Sequence, residues 1–335
     1  MGSLPFPSSV LSSHLDTLGL PHGVRPALCH SVIPSLLQGI SNIAKALRNA
    51  HQVSLAGTAN SFGDDQLNVD VVAEDLIRAA LARCPSVATA SSEEDPIERP
   101  ITKAVEGEAG QEQYTVAFDP LDGSSIIAPN WTVGTIVGIW DGPTALGQAP
   151  ATRQVAAVLG VFGPRTTAIV AVRVPGGTAV CFEVGLSDGQ EVEIVRPRVR
   201  LDASMTTGTR YFAPANLRAA AEDARYMALV SHYVAHRYTL RYSGGLVPDV
   251  VHALVKGQGV YLSPVTGRSE AKLRRLYELC PLALIVECAG GSAVDPADGA
   301  DILARPVGGC DERGGLVCGS REEVEFASAM LLGAE

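Results

Sequence analysis

The sequence predicts an α/β fold, an α+β layering of helices and sheets in which two domains share a cleft. Three observations predict it. Apolar residues at 32, 33, 36, 37, 40, 43, 44 and 47 follow helical spacing with one buried face, and a second amphipathic helix begins at Asp70. Val/Ile/Thr-rich runs at 131–140, 153–162, 166–173, 178–184 and 191–196 then follow one another with Gly and Pro between them, as strands of one sheet do. Beyond Arg196-Pro197-Arg198-Val199-Arg200 helix and strand patterns alternate again, which places a domain boundary near 197.

In chain order, residues 1–30 are Pro- and Ser-rich with little periodicity and read as a loose lead-in to an N-terminal α/β domain, 31–197. His51 to Asn60 reads as a loop. The helix from Asp70 is expected to turn Val71, Val72, Leu76, Ile77, Ala80 and Leu81 inward and to end at Arg83-Cys84-Pro85. Its Asp70 also suits a plain capping role. A short strand, Val87 to Ala90, leads into Ser91-Ser92-Glu93-Glu94-Asp95. Three acids in a row are commonly a solvated face, but these follow a small-residue strand directly. Residues 96–112 form an exposed excursion, and Tyr114 to Phe118 a buried strand that Pro120 should end, because proline fixes φ and donates no hydrogen bond. In the C-terminal domain, 198–335, the pattern predicts helices over 215–236 and 248–256, a strand at 259–262, and helix again from Ser269 until Gly290-Gly291.

Composition narrows the function. The chain has 335 residues and a formal net charge of −10, which disfavours nucleic acid or an anionic membrane as partner. No apolar run reaches the roughly 18 residues of a membrane span. Met1 to Leu20 lacks the pattern of a secretory or organelle signal, so a cytoplasmic location is expected. The seven cysteines form no CxxC pair and are expected to be buried, reduced thiols.

The chemistry centres on Phe118-Asp119-Pro120-Leu121-Asp122-Gly123-Ser124-Ser125, where a strand ends in two carboxylates three residues apart beside a Gly-Ser-Ser turn. Taken alone, this reads more readily as a capped turn, with Asp and Ser satisfying loose backbone groups. It also suits a site where a hard cation held by carboxylates meets a phosphate cradled by backbone N–H groups. Lys272 and Glu278 also suit plain exposed helix charges and Tyr242 also suits a core aromatic, while His252 reads as a packed or surface histidine rather than a ligand.

The run Phe118 to Ser125, with Ser92-Glu93-Glu94-Asp95 upstream, resembles the Mg²⁺-dependent, lithium-sensitive phosphatases. Gly63-Asp64-Asp65-Gln66 with Asp70, Arg241-Tyr242-Ser243-Gly244-Gly245-Leu246-Val247-Pro248-Asp249-Val250, and Lys272-Leu273-Arg274-Arg275-Leu276-Tyr277-Glu278 narrow this to the fructose-1,6-bisphosphatase family. Ser61 to Leu67, Ala213 to Ala219, Tyr238 to Tyr242 and Val155 to Arg165 are more similar to its sedoheptulose-1,7-bisphosphatase branch than to its fructose branch. The resemblance implies the fructose-bisphosphatase-like sugar phosphatase fold. It implies Mg²⁺, two or three ions with Mn²⁺ as a substitute, and hydrolysis of the 1-phosphate of a sugar bisphosphate. Sedoheptulose 1,7-bisphosphate is the expected substrate and fructose 1,6-bisphosphate the rival; an inactive sugar-phosphate-binding protein is the further alternative. By resemblance Asp64, Glu93, Asp119, Asp122 and Glu278 are metal ligands, with the Leu121 carbonyl. Asp70 and Glu94 are catalytic and activate the water. Gly123, Ser124 and Ser125 bind the 1-phosphate, and Asn216, Arg241, Tyr242, Gly244, Leu246 and Lys272 bind the sugar and its distal phosphate. A homodimer or homotetramer is implied, with Arg241 acting across the interface. Plastid members of the sedoheptulose branch carry a Cys-Gly-Gly-Thr-Ala-Cys redox switch where this chain has Leu55-Ala56-Gly57-Thr58-Ala59-Asn60, so that disulfide is not expected here.

Overall fold

The computed structural model describes residues 9–17, 25–59, 65–101, 112–173, 179–187, 192–202 and 208–333. Its first sheet has eight strands in the order Val192–Arg196, Ala179–Leu186, Thr166–Arg173, Gln154–Phe162, Val133–Asp141, Tyr114–Asp122, Val87–Ser92 and Arg99–Pro100. Five of these are the Val/Ile/Thr runs predicted above, found within about two residues of their expected ends. All pairs in this sheet are antiparallel except Val87–Ser92 with Tyr114–Asp122. The second sheet has five strands in the order Thr239–Leu240, Tyr211–Pro214, Val260–Ser263, Leu316–Gly319 and Ser292–Val294.

Three apolar clusters turn these sheets into alternating layers. Helices Ile33–Asn49 and Asn68–Leu81 cover one face of the first sheet, against Tyr114, Val116 and Phe118. Helices Leu246–Lys256 and Cys280–Cys288 fill the space between the sheets, against Ala117, Ile136 and Leu159 on one side and Tyr261 and Cys318 on the other. Helices Ala224–Ala235 and Arg321–Leu332 close the outer face of the second sheet. The chain supplies this alternation through the strand period of two: along Tyr114–Asp122 the large side chains go to the outer helices and Ala117 goes to the middle layer. The middle layer comes from the C-terminal half of the sequence yet packs on the N-terminal sheet, so both halves share one core.

Several local expectations are corrected. The segment 51–60 is not all loop: Leu55–Ala59 pairs antiparallel with Asp65–Leu67, a ribbon that the small residues Ala56, Gly57 and Thr58 do not announce. The lead-in holds a helix, Ser9–Thr17, with Leu11 and Leu15 buried. Arg25 ties the chain behind it to the sheet through two 2.7 Å bonds to Asp141. On the helix from Asn68, Val71 and Val72 face solvent while Val69, Ala73, Ile77, Ala80 and Leu81 face the core. The apolar face is thus rotated from the expected one, because Asp70 and Glu74 are themselves drawn inward. The predicted helix 215–236 is two pieces, a 3₁₀ turn Leu217–Ala221 and the helix Ala224–Ala235, separated where Asp223 caps the second by accepting from the Arg225 N–H. From Ser269 the chain makes the short strand Leu273–Arg274 and a π turn Arg275–Leu279 before its helix begins at Cys280. All seven cysteines are unpaired; five are buried as expected, whereas Cys288 and Cys310 are only partly buried. Among the described residues no helix is long and apolar enough to cross a membrane.

Candidate metal and phosphate site

The site is built where the parallel pair ends. Ser92 stands opposite Phe118, and the Glu93 N–H donates to the Phe118 carbonyl at 3.1 Å. Glu93 and Glu94 therefore leave one strand beside the point where Asp119 and Asp122 sit on its neighbour, the carboxyl end where α/β sheets bind ligands. Pro120 does not end the strand. The ladder slips between Asp119 and Asp122 instead, so that Asp119 pairs with Ile136 and Asp122 with Gly134. Local bonds absorb the slip: Leu121 N–H donates to Asp119 Oδ1 at 3.0 Å, and Thr135 Oγ1–H to the Pro120 carbonyl at 2.8 Å. Asp119 follows Ala117 by two and so faces the middle layer, where the π turn carries Glu278. One carboxylate oxygen from each of Asp119, Asp122 and Glu278 lies within 4.8 Å of the others, and all three residues are buried.

This cluster is electrostatically unstable as three anions. Burial pushes Asp119 well above the usual carboxylate range, and the negative charges of Glu93, Asp122 and Glu278 push it further. Glu278 is raised in the same way by burial and by Glu93, against the Arg274 N–H that donates to it. Burial lifts Asp122 to about 6 despite bonds from the N–H groups of Leu246 (3.2 Å) and Val247 (2.7 Å). Those donors are the first turn of the helix Leu246–Lys256, aimed at the carboxylate. Gly134 makes the approach possible, since a Cβ there would lie 2.4 Å from Val247 Cβ.

The remaining site residues form a second group beside it. Asp70, at the third position of its helix, accepts from the Leu67 N–H at 2.9 Å and from Ser124 Oγ at 3.3 Å. Burial raises it to about 6, with Glu94 adding repulsion. Glu94 bonds Gln66. Ser124 Oγ also donates to the Leu121 carbonyl at 3.2 Å. Gly123 turns the chain at φ +97°, and Ser124 and Ser125 are exposed beyond it. Asp64 lies outside the described residues. Of the predicted set, the structure thus brings together Glu93, Asp119, Asp122 and Glu278, with Asp70, Glu94, Leu121 and Ser124 adjacent.

Of the remaining predicted residues, Gly244 and Leu246 adjoin the cluster, while Asn216, Arg241, Tyr242 and Lys272 lie around the second sheet. Gly244 packs over Ile126, next to the Gly-Ser-Ser turn, and Leu246 buries its side chain while its N–H holds Asp122. Asn216 spends its amide on the Pro264 carbonyl at 2.7 Å and the Ser269 carbonyl at 3.4 Å, holding the loop that leads to exposed Lys272. Tyr242 is 45% exposed, so it is not a core aromatic. Arg241 is exposed, stands over the Tyr211 ring, and lines a groove of about 980 Å³ with Trp131, Arg165 and His252.

Two residues not singled out from sequence matter here. Arg274 is buried and bonds Glu93, the one cation drawn directly into the acidic cluster among the described residues. Asp249 accepts from the N–H groups of Ser243 (2.7 Å) and Gly244 (3.2 Å) and so fixes the turn before the Leu246 helix. A basic residue four before Glu278 was the only available signal for Arg274. The acidic run divides by role: Asp95 is taken up by Arg78 at 3.3 Å and Arg99 at 2.6 Å, leaving Glu93 and Glu94 for the site.

The fructose-1,6-bisphosphatase N-terminal domain profile matches residues 27–191, and the C-terminal domain profile matches residues 205–332. The chain belongs to the fructose-1,6-bisphosphatase family. By that membership it is a sugar bisphosphatase, a phosphoric monoester hydrolase. It is 39% identical to the chloroplastic sedoheptulose-1,7-bisphosphatase of Triticum aestivum, over 86% of this chain and 69% of that one. It is 33% identical to the class 1 fructose-1,6-bisphosphatase of Syntrophotalea carbinolica, over 92% of this chain and 90% of that one. A solved Toxoplasma gondii structure, provisionally described as a sedoheptulose-1,7 bisphosphatase, superposes with a TM-score of 0.84 at 33% identity, covering 99% of this chain and all of that one. The family fold and the layered fold seen here agree.

Proposed function

We propose that the chain hydrolyses the 1-phosphate of sedoheptulose 1,7-bisphosphate, using Mg²⁺ held by Glu93, Asp119, Asp122, Glu278 and the Leu121 carbonyl, with Asp64 as a further ligand. The observation that carries this reading is the buried Asp119–Asp122–Glu278 cluster at the end of a parallel strand pair. Three mutually repelling, all-oxygen ligands out of water fit a hard divalent cation, and Mn²⁺ fits the same donors. When bound, such ions neutralise the phosphate and acidify water. The protein's own groups do the rest. Gly123, Ser124 and Ser125 hold the phosphate beside the cluster. Asp70, assisted by Glu94, accepts one proton of the water as its oxygen bonds phosphorus; the bond between phosphorus and the C1 oxygen breaks on the opposite side, and that oxygen takes up a proton to leave as the sugar hydroxyl. Asp70 suits this, because burial has raised it to about 6. Asn216, Arg241, Tyr242, Gly244, Leu246 and Lys272 orient the sugar and its distal phosphate. Exposed Arg241 on the rim of the 980 Å³ groove supports a dimer in which it reaches the neighbouring site. Seven free thiols fit a reducing compartment such as the cytoplasm.

Fructose 1,6-bisphosphate is the second reading, favoured by the class 1 relatives, which align over most of their length. Phosphate release from both sugars with Mg²⁺, by wild type and Asp119→Asn, tests the proposal. Turnover that the substitution abolishes supports a hydrolase. Binding of the bisphosphate with no release by wild type would make it an inactive sugar-phosphate-binding protein instead.

A further inference from the structure

The second sheet has three adjacent strands that run parallel, Thr239–Leu240, Tyr211–Pro214 and Val260–Ser263, so their carboxyl ends open on one side. Ligands of such sheets bind there. The residues that follow the three strands are Arg241 and Tyr242, Asn216 to Arg218, and Pro264 to Thr266. They are joined to one another: Arg241 N–H donates to the Phe212 carbonyl at 3.0 Å, Tyr226 Oη to the Ala215 carbonyl at 2.8 Å, and Asn216 to the Pro264 carbonyl at 2.7 Å. Asn216 has φ +47° and starts the 3₁₀ turn Leu217–Ala221. That turn buries Ala219 and Ala220 and exposes Arg218.

The cations around this opening are not equivalent. Arg241 stands over Tyr211, near His252, and lines the groove described above together with Tyr242. Tyr242 lies at the carboxyl edge of the sheet near Tyr226 of the outer layer and Tyr261 of the middle layer; burial and the Asp249 charge raise its hydroxyl, and Arg218 lowers it. Tyr261 packs in the middle layer and feels the charge of Asp122, so this edge of the sheet adjoins the carboxylate cluster. Among the described residues, no side-chain hydrogen bond or ion pair engages the Arg218 guanidinium.

We infer that Arg218 is a further cation of the same subunit, in addition to Lys272, that receives the distal phosphate of the substrate beside Tyr242, and that it thereby helps set the sugar length the site accepts. This rests on the sugar-bisphosphatase reading above. A guanidinium fork on an outer turn suits a phosphate carried one carbon farther from the metal cluster.

The experiment uses full-length wild type, Arg218→Ala and Arg218→Lys. Measured are kcat and KM for sedoheptulose 1,7-bisphosphate, for fructose 1,6-bisphosphate and for fructose 1-phosphate, and product inhibition by sedoheptulose 7-phosphate. Wild-type turnover of a bisphosphate tests the underlying reading by itself, and its absence overturns that reading whatever the variants do. Given turnover, Arg218→Ala raises KM for the seven-carbon substrate and the inhibition constant of its product roughly 10- to 100-fold, as loss of a charged hydrogen bond should. It also narrows the preference for the seven-carbon sugar, and Arg218→Lys recovers part of the loss. An equal loss with fructose 1-phosphate, which has no distal phosphate, shows a merely structural role and overturns the inference. So do a KM and an inhibition constant that stay within about twofold of wild type, a difference of ~0.4 kcal/mol.

Discussion

Gly134→Ala tests how the site is held in place. Asp122 pairs with Gly134 across the ladder, and the added Cβ would meet three Val247 carbons at 2.4, 2.6 and 2.7 Å. Real Cβ atoms do not sit that close, so the helix Leu246–Lys256 must shift. Overpacking of this kind costs about 1–3 kcal/mol. At roughly 2–4 °C per kcal/mol for a large domain, Tm should fall by ~2–12 °C. The same shift pulls the Leu246 and Val247 N–H groups from Asp122, which they hold at 3.2 and 2.7 Å. A displacement near 1 Å at a reacting centre costs on the order of 10²-fold in rate. The expected outcome is a fall in kcat of about 10- to 100-fold at saturating Mg²⁺. Phosphate release and differential scanning calorimetry on the same preparation measure both effects. Val247→Gly in the Gly134→Ala background removes all three contacting carbons and should restore most of the rate. A Gly134→Ala enzyme with wild-type kcat and Tm would refute the claim that this close approach positions Asp122.

Other expected outcomes follow from the same geometry. Folding raises the pKa of Asp122 and Asp70 from 3.8 to about 6, so the folded metal-free protein favours their protonated forms. Their contribution is most favourable at low pH and is lost as pH rises from about 4 through about 6; Mg²⁺ should raise Tm more at pH 8 than at pH 5, and an equal shift at both would contradict the site. Arg274→Ala leaves Glu93 without its buried cation and removes a neutralising charge near Glu278, whose bond from the residue 274 N–H remains; it should cost roughly 3–5 kcal/mol in denaturant unfolding, with Arg274→Lys intermediate. Asp249→Ala frees the Ser243 and Gly244 N–H groups and should raise KM for the bisphosphate severalfold with a smaller change in kcat, read from steady-state curves.

Much of this was legible in the chain. The strands Gln154–Phe162 and Thr166–Arg173 were located almost to the residue because their Val, Ile and Ala runs are closed by Gly163-Pro164 and by Pro175. Leu55–Ala59 was not, since its small residues carry little strand preference and pairing with Asp65–Leu67 holds it. Pro120 misled because the missing N–H is absorbed by a register slip, which depends on Thr135 across the sheet. The carboxylates were recognisable as a set only through their motifs. That Glu278 meets Asp119 depends on a π turn more than 150 residues later in the chain, and no local pattern encodes that meeting. Arg274 was hidden for the same reason: beside Lys272 and Arg275 it reads as one of several surface charges until packing buries it.

A preference for the seven-carbon sugar at this carboxylate cluster is tested by kcat/KM for sedoheptulose 1,7-bisphosphate against fructose 1,6-bisphosphate, at the same Mg²⁺ and pH. One carbon of difference in the sugar is worth about 1–3 kcal/mol, so the expected ratio is roughly 10 to 200 in favour of the seven-carbon sugar. A ratio below one would contradict it and make the chain a fructose-1,6-bisphosphatase.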